Sequence, residues 1–574
     1  MAEELNITHE RIDDIPLLIG LSQKLQLAEV IDQNLGNHGN HQGLSNGVLT
    51  MVWLAYILSE QSHKKYLVQE WAEAHRHMLE RLVGQPLRDV EFSDDRLGIV
   101  LQHLSDRESW HSIQADLWSH RVEVYAIEVK SVRIDTTTVS GYHEITEDGV
   151  MQKGHSKAHR ADLAQIKLLA ACVEPGGQLA ISEAMAGQKG DAPLYTPAIK
   201  RLRDLLQQSG LLYTGDSQMA AIATRADVVA HGDYYLMPLP MLGETAQQIE
   251  SWIAAIVDGP ETAQLIWRDH ELLAAGYEFS RPLTYCVDGQ EIQWTERVQI
   301  VRSFAFAEPQ IKHLEQRLAK AQRELLALTP TRGRGKRQYQ DEAKLQEAVA
   351  AILAQYKVTD LLSVFWQREE TVTTLYTGRG RGGAERPTRT QTKVRYQITA
   401  VSRDEAAITR RKHFLGWRVI ATNVPLSQMS LPETTLHYRR GICIERDFHA
   451  LKDRPIGISP LYVHRDDQII GMTNLLCLAL FLQTLIQTEV ARQLAERQET
   501  IAGLYAGQPK RATAAPTAVS LLKAIAKQEP TLTCVHIGAQ CLWHVTPLSD
   551  LLRRILNFLG LSPALYSGLA PNSS

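Results

Sequence analysis

Residues 131 to 216 constrain the fold more than any other stretch, because they spell out strands and a helix in a fixed order. VRIDTTTV alternates Val132 and Ile134 with polar residues, the period-two pattern of a half-buried strand. LAQIKLLAACVE and GQLAISEAM follow, separated by the turn Pro175-Gly176-Gly177. TPAIKRLRDLLQQSG then carries a helical apolar period, and an apolar run ending at Asp216 supplies a further strand. The expectation is three antiparallel strands, a helix and a fourth strand, an order that puts Asp135 and Asp216 on adjacent strands.

Three carboxylates stand in three local contexts: Asp135 in VRIDTTTV, Asp216 in LLYTGDSQMA and Glu445 in YRRGICIERDFHALK. The last segment has a helical apolar period in Ile442, Ile444, Phe448 and Leu451. An acid on a first strand, one after a later strand and one on a late helix form a layout that holds two Mg²⁺ ions for phosphoryl transfer. Mg²⁺ takes oxygen ligands, keeps several waters and needs only one or two carboxylates beside substrate phosphate. Two such ions about 3.5–4 Å apart serve the attacking and leaving oxygens. Asp135, Asp216 and Glu445 are therefore the candidate catalytic and metal-binding residues. Tyr438 precedes Glu445 by seven positions and Lys452 follows it by seven. Seven residues are nearly two turns, so in a continuous helix all three share one face, each about 10 Å from the next.

In this segment the chain resembles the DDE transposases of bacterial insertion sequences, in particular the group with a Tyr-Arg-Glu-Lys signature around the catalytic Glu. GHSKAHRADL, AGQKGDAPLY, GWRVIATN and RPIGISPLYVHRDDQIIGMTNLLCLAL resemble further stretches of that family in the same order, from about residue 10 to the C-terminus. The resemblance implies an α/β, RNase H-like catalytic domain interrupted by a large, mainly β insertion, with helical N- and C-terminal regions. It implies that Tyr438 and Lys452 contact DNA phosphates near the cut. The family Arg is expected four residues before the Glu, where Gly441 stands, so Arg439 and Arg440 are the candidates for its role. The implied activity is cleavage of DNA at the ends of an insertion sequence and joining of the 3′ ends to target DNA. The implied cofactor is a pair of Mg²⁺ or Mn²⁺ ions. The implied partners are terminal inverted repeats, target DNA and a second copy of the chain. Two rival readings stay open: an RNase H-like nuclease without strand transfer, against which the large basic insertion argues, and an inactive DNA-binding derivative, against which the intact acids and Lys452 argue.

At 574 residues the chain is too long for one core, and about three or four domains are expected. Between Asp216 and Glu445 lie 228 residues, far more than the catalytic fold needs. The expected division is a helical N-terminal domain for DNA-end binding or dimerisation (1–125), the first part of the catalytic core (126–270), a basic insertion (271–429), the second part of the core (430–495) and a helical C-terminal region (496–574). The insertion carries a helical pair, KHLEQRLAKAQRELLAL and DEAKLQEAVAAILAQY. Net charge is only −4, yet residues 301 to 420 hold 23 Lys and Arg against 12 Asp and Glu, a local +11 that leaves −15 elsewhere. Such asymmetry is an electrostatic footprint for a polyanion. Within it, Arg379, Arg381, Arg386 and Arg389 sit in a Gly-rich loop able to follow phosphates closely, and are candidate DNA contacts.

The apolar run from Ile469 to Ile486 approaches membrane-span length but contains Thr473, Asn474, Gln483 and Thr484, which favours a buried core helix and no membrane partner. The N-terminal residues lack the basic start and apolar core of a signal peptide, so a cytoplasmic, nucleoid-associated location is expected. The six cysteines show no CxxC spacing, which suits a reducing compartment. Cys534, His536, Cys541 and His544 can be drawn as a zinc site, but C-x-H-x4-C-x2-H matches no common finger and two strands in a core are favoured. PLYVH is expected to form a strand. Lys157, His159 and Arg160 either touch DNA or belong to the hairpin after the first strand.

Overall fold

A computed structural model describes the chain apart from residues 1–4, 37–41, 158–159, 260, 334–335, 337, 378–386, 538–539 and 571–574. It divides into two compact units, one of Met1–Met237, Leu283–Trp294 and His437–Ser574, the other of Pro238–Pro282 and Thr295–Leu436.

The first unit opens with β1 (Leu5–Arg11) and then builds a sheet from β2 (Ser131–Gly141), β3 (Ala164–Glu174), β4 (Gln178–Ala186), β5 (Leu212–Thr214) and β6 (Tyr234–Pro238). Their order is β4-β3-β2-β5-β6. The pairs β2–β3 and β3–β4 are antiparallel, while β2–β5 and β5–β6 are parallel. A tight turn joins β3 to β4 and the longer segment 142–163 joins β2 to β3, whereas the step from β4 to the parallel β5 needs the crossover helix Ala192–Leu206. Nearly every residue of β3 is buried, as expected for a central strand covered on both faces. Part of that cover is the helix Arg107–Tyr125, whose Trp110 indole donates to the Ser182 carbonyl of β4 at 2.9 Å.

The apolar run predicted as a core helix is the helix Asp466–Glu496, long and apolar enough to cross a membrane, with 94% of its apolar window buried inside the molecule. A helix that is hydrophobic all round belongs in a core. It shares one continuous core with the N-terminal helices, among them Ile15–Lys24, Asn46–Glu60 and Asp94–Leu104.

The second unit contains β7 (Gln264–Arg268), most of β8 (Glu271–Val287) and β9 (Gln290–Ser303), the long hairpin β10 (Leu362–Tyr376) and β11 (Thr388–Arg403), and β12 (Trp417–Thr422). β12, β9, β8 and β7 are neighbours in that order, and β10 pairs with β11 alone. The predicted helical pair is present as Phe304–Ala327 and Glu342–Gln355. Leu314, Leu318, Ala321 and Leu325 recur every three or four residues and bury against Leu345, Val349 and Leu353.

Two expectations need correction. PLYVH forms no strand: residues 461–464 run as an irregular link into the long helix. The chain ends are not wholly helical, because β1 pairs with β13 (Thr531–Ile537) and β13 with β14 (Gln540–Val545). A lone two-stranded hairpin is marginal in water, and β1 supplies the third strand from the other end of the sequence.

Candidate active site

Asp135 lies within β2, and Asp216 follows β5 after the single residue Gly215. The parallel register pairs Arg133 with Thr214, and two residues further along each chain come the two acids. Gly215 permits this approach: a Cβ there would lie 3.3 Å from the Ile134 carbonyl and closer still to the Met219 sulfur. Each carboxylate is held. The Thr136 amide donates to Asp135 Oδ1 at 2.7 Å, and Lys157 Nζ sits 3.4 Å from the same oxygen. Burial raises the Asp135 pKa, Lys157 opposes this, and the negative charge of Asp216 adds to the rise. Asp216 Oδ1 accepts from the Tyr195 hydroxyl at 2.7 Å and from the Gln218 amide at 2.9 Å, so it also caps the short turn Ser217–Ala220.

Sequence reasoning assigned no role to a third acid at this place. Asp191 accepts from Lys167 of β3 and lies 3.9 Å from Lys157 Nζ. Burial works to raise its pKa, but the Lys167 hydrogen bond and the Lys157 and Lys167 charges outweigh it and hold Asp191 low. Lys157 also donates to the Thr136 carbonyl at 2.5 Å and to its hydroxyl at 3.0 Å. Its ammonium therefore stands beside two carboxylates. The signal was in AGQKGDAPLY, which contains both Asp191 and Tyr195.

Glu445 lies on the helix Ile442–Lys452, which packs against β2 and β3. Ile444, Phe448 and Leu451 bury its apolar face. On that side the Cys172 thiol of β3 donates to Asp447 Oδ2 at 3.3 Å, and burial pushes the Asp447 carboxyl up to about 7. Glu445 and His449 are exposed, one turn apart, and His449 Nε2 is 3.6 Å from Asp453. Lys452 is half-buried; burial lowers its pKa first, the Lys157 charge next, while Asp135 counteracts. The carboxyl-terminal end of this helix thus lies within electrostatic reach of Asp135. The three predicted acids are not drawn together as tightly as ligands of one ion: among the described residues, the only such group within 4.8 Å is Cys534, His536 and Cys541. Like charges repel unless a cation lies between them.

The continuous helix expected from Tyr438 to Lys452 is broken. Tyr438 and Arg439 end the helix Leu431–Arg439, and the next begins at Ile442, with Gly441 as its N-cap. A Cβ at Gly441 would lie 3.1 Å from Arg133 Nη1. That guanidinium is buried, 3.3 Å from Glu174 Oε1, and donates to the His437 carbonyl at 3.1 Å. The position where the resemblance expects an Arg is thus packed against an Arg from β2. Arg440 is exposed and Arg439 half-buried. Arg389 is exposed on β11 of the second unit, while Arg379, Arg381 and Arg386 lie outside the described residues.

Residues 7–114 match a domain of unknown function, DUF4277. No curated protein matches this chain. Among solved structures, the piggyBac transposase in a synaptic complex with hairpin DNA is similar over 99% of this chain and 88% of that chain, at 9% identity and a TM-score of 0.34. Similarity at that level carries no argument about the site.

Proposed function

We propose that the chain is a DDE transposase of the bacterial insertion-sequence type, cleaving DNA at the element's ends and joining the 3′ ends to target DNA. The observation that supports this most is the place of Asp135 and Asp216, each two residues past the paired Arg133 and Thr214 of neighbouring parallel strands, with the helix of Glu445 packed on the same sheet. Three antiparallel strands followed by a crossover to parallel ones also suit an RNase H-like core. In this reading the basic segment between Asp216 and Glu445 is an insertion that grips DNA, and the terminal regions serve end recognition or pairing of two protomers in the cytoplasm.

The donor set of the acid site is oxygen only, which fits Mg²⁺ or Mn²⁺. Two such ions, once bound, activate the attacking oxygen and stabilise the leaving one. Asp135, Asp216 and Glu445 would hold them. Lys157, whose ammonium stands 3.4 Å from Asp135, would yield that contact to a bound cation. Lys452 and Tyr438 position the phosphates beside the scissile bond, with Arg439 and Arg440 nearby, and Arg379, Arg381, Arg386 and Arg389 track the duplex.

The test uses the full chain, Mg²⁺ and a DNA fragment carrying the inverted repeats that flank the gene. Asp135→Asn, Asp216→Asn and Glu445→Gln should each abolish strand cleavage while retaining DNA affinity. Near-normal cleavage by any one variant removes that carboxylate from the site. Cleavage without joined products by the unaltered chain would favour a nuclease instead.

A further inference from the structure

The sheet β1-β13-β14 carries a cluster that the acid site does not use. Its register pairs His536 with Cys541 and Cys534 with Trp543. Side chains alternate along a strand, so Cys534, His536 and Cys541 share one face, and His544, opposite Thr533, belongs to the other. Cys534 Sγ lies 3.3 Å from His536 Nε2, and the two cysteines are joined as a disulfide with Cα atoms 6.3 Å apart. All three ligand atoms fall within 4.8 Å of one another. Cys534 is buried, and the other two are half-buried near the end of the hairpin where β13 passes into β14. Trp543, opposite Cys534 on the same face, is held by the Arg81 guanidinium 3.8 Å over its ring centroid and by the His77 ring at 5.2 Å.

We propose that the reduced hairpin is a zinc site made by Cys534, His536 and Cys541, with water in the fourth position. Two thiolates and an imidazole are a borderline-soft donor set that selects Zn²⁺ over the hard ions suited to the acid site. Zinc–sulfur and zinc–nitrogen bonds of about 2.3 and 2.0–2.1 Å put tetrahedral ligand atoms roughly 3.5–4 Å apart, so on reduction the bonded sulfurs part to that distance while His536 Nε2, 3.3 Å from Cys534 Sγ, needs little movement. The sequence pattern failed as a finger because it counted His544. The hairpin register removes that residue and supplies the geometry that spacing alone lacked.

The disulfide and the metal exclude each other. A dithiol reductant gives two electrons to the Cys534–Cys541 bond and itself becomes a disulfide, leaving two thiols. Zn²⁺ then forms two sulfur bonds as both thiol protons pass to solvent, and His536 Nε2 supplies the third bond from its neutral form. Either state ties β14 to β13, and through β13 to β1, so the cluster closes the sheet that joins the two ends of the chain.

The test is zinc content and cobalt substitution of the full-length chain kept reduced with a phosphine. About one zinc per chain is expected, and Co²⁺ should give thiolate-to-cobalt charge transfer with tetrahedral ligand-field bands. Cys541→Ser and His536→Gln should lose the stoichiometric metal while keeping the unaltered circular dichroism spectrum. His544→Gln and Asp135→Asn should keep the metal, which separates this site from the acid one. Reduced chain that takes up no zinc, or zinc retained by both Cys541→Ser and His536→Gln, would overturn the proposal and leave a disulfide only.

Discussion

Asp447 lies half-buried on the helix that carries Glu445, facing Cys172 of β3, and its carboxyl is pushed from 3.8 up to about 7 because loss of solvent disfavours the charged form. As pH rises between those values the unfolded chain releases this proton while the folded chain keeps it. The contribution of Asp447 to stability therefore falls from about pH 4 to about pH 7 and levels off above. Asp447→Asn removes the titration. Relative to the unaltered chain, the variant should gain stability as pH rises, by at most roughly 4 kcal/mol near pH 8 and by less near pH 5. Urea denaturation at the two pH values measures it, and an equal difference at both would refute the assignment. Lys157 supports a second residue-scale prediction, since its ammonium stands beside Asp135 and Asp191, where it would compete with a divalent cation. Lys157→Met should tighten Mn²⁺ binding severalfold, read by the electron paramagnetic signal of free Mn²⁺. Unchanged or weaker binding would show that Lys157 does not compete for the site.

Between elements, the crossing of the helices Asp94–Leu104 and Asp466–Glu496 depends on one glycine. A Cβ at Gly471 would meet the Leu101 carbonyl oxygen at 2.0 Å, and a backbone atom cannot step aside as a side chain can. One turn further, the Asn474 amide donates to the Leu104 carbonyl at 2.9 Å, so the same contact is pinned by a buried hydrogen bond. Gly471→Ala should push the helices apart and cost about 3 kcal/mol or more. Gly98→Ala is the control on the facing helix: its Cβ would meet the ends of two flexible side chains, Gln468 at 3.2 Å and Lys65 at 3.7 Å, and Ala favours a helix by about 1 kcal/mol. Urea midpoints compare the two: a loss at Gly471 beside a small gain at Gly98 is expected, and an equal gain at both would mean that helix propensity rather than the crossing decides the outcome. The long helix itself was legible from its unbroken apolar run, whereas which residue touches Leu101 was not, because a helical period gives a face but not the partner.

Across the whole molecule, charge is unevenly divided, with +11 in residues 301–420 and −15 in the remainder. A chain of net charge −4 binds DNA only if the cationic segment meets phosphates while the acidic remainder stays away from them. Replacing Arg379, Arg381, Arg386 and Arg389 together with Gln should weaken binding to any duplex and flatten the salt dependence by up to about 0.9 in slope for each lost phosphate contact. Fluorescence anisotropy titrations over a range of salt concentrations would show it. An unchanged slope would mean that the loop is solvated and takes no part in binding.

Local periodicity alone determined the series of strands and helix from β2 to β5, and with it the neighbouring places of Asp135 and Asp216. Alternation identifies each strand, and a helical crossover returns the chain parallel to its neighbour. It also identified the helix of Glu445, though not its late start: Gly441 has no periodicity to read, and Arg133 fills the space beside it. Tertiary structure decided the rest. Lys157 meets Asp135 and Asp191 only because loops before β3 and after β4 close over β2. Cys534, His536 and Cys541 share a face only through the register of their hairpin, and β1 finds β13 across 524 positions, as the His9–Thr533 hydrogen bond shows. Contacts between segments so far apart in the chain depend on which packing buries the most apolar surface. That is a property of the whole chain, and no local pattern encodes it.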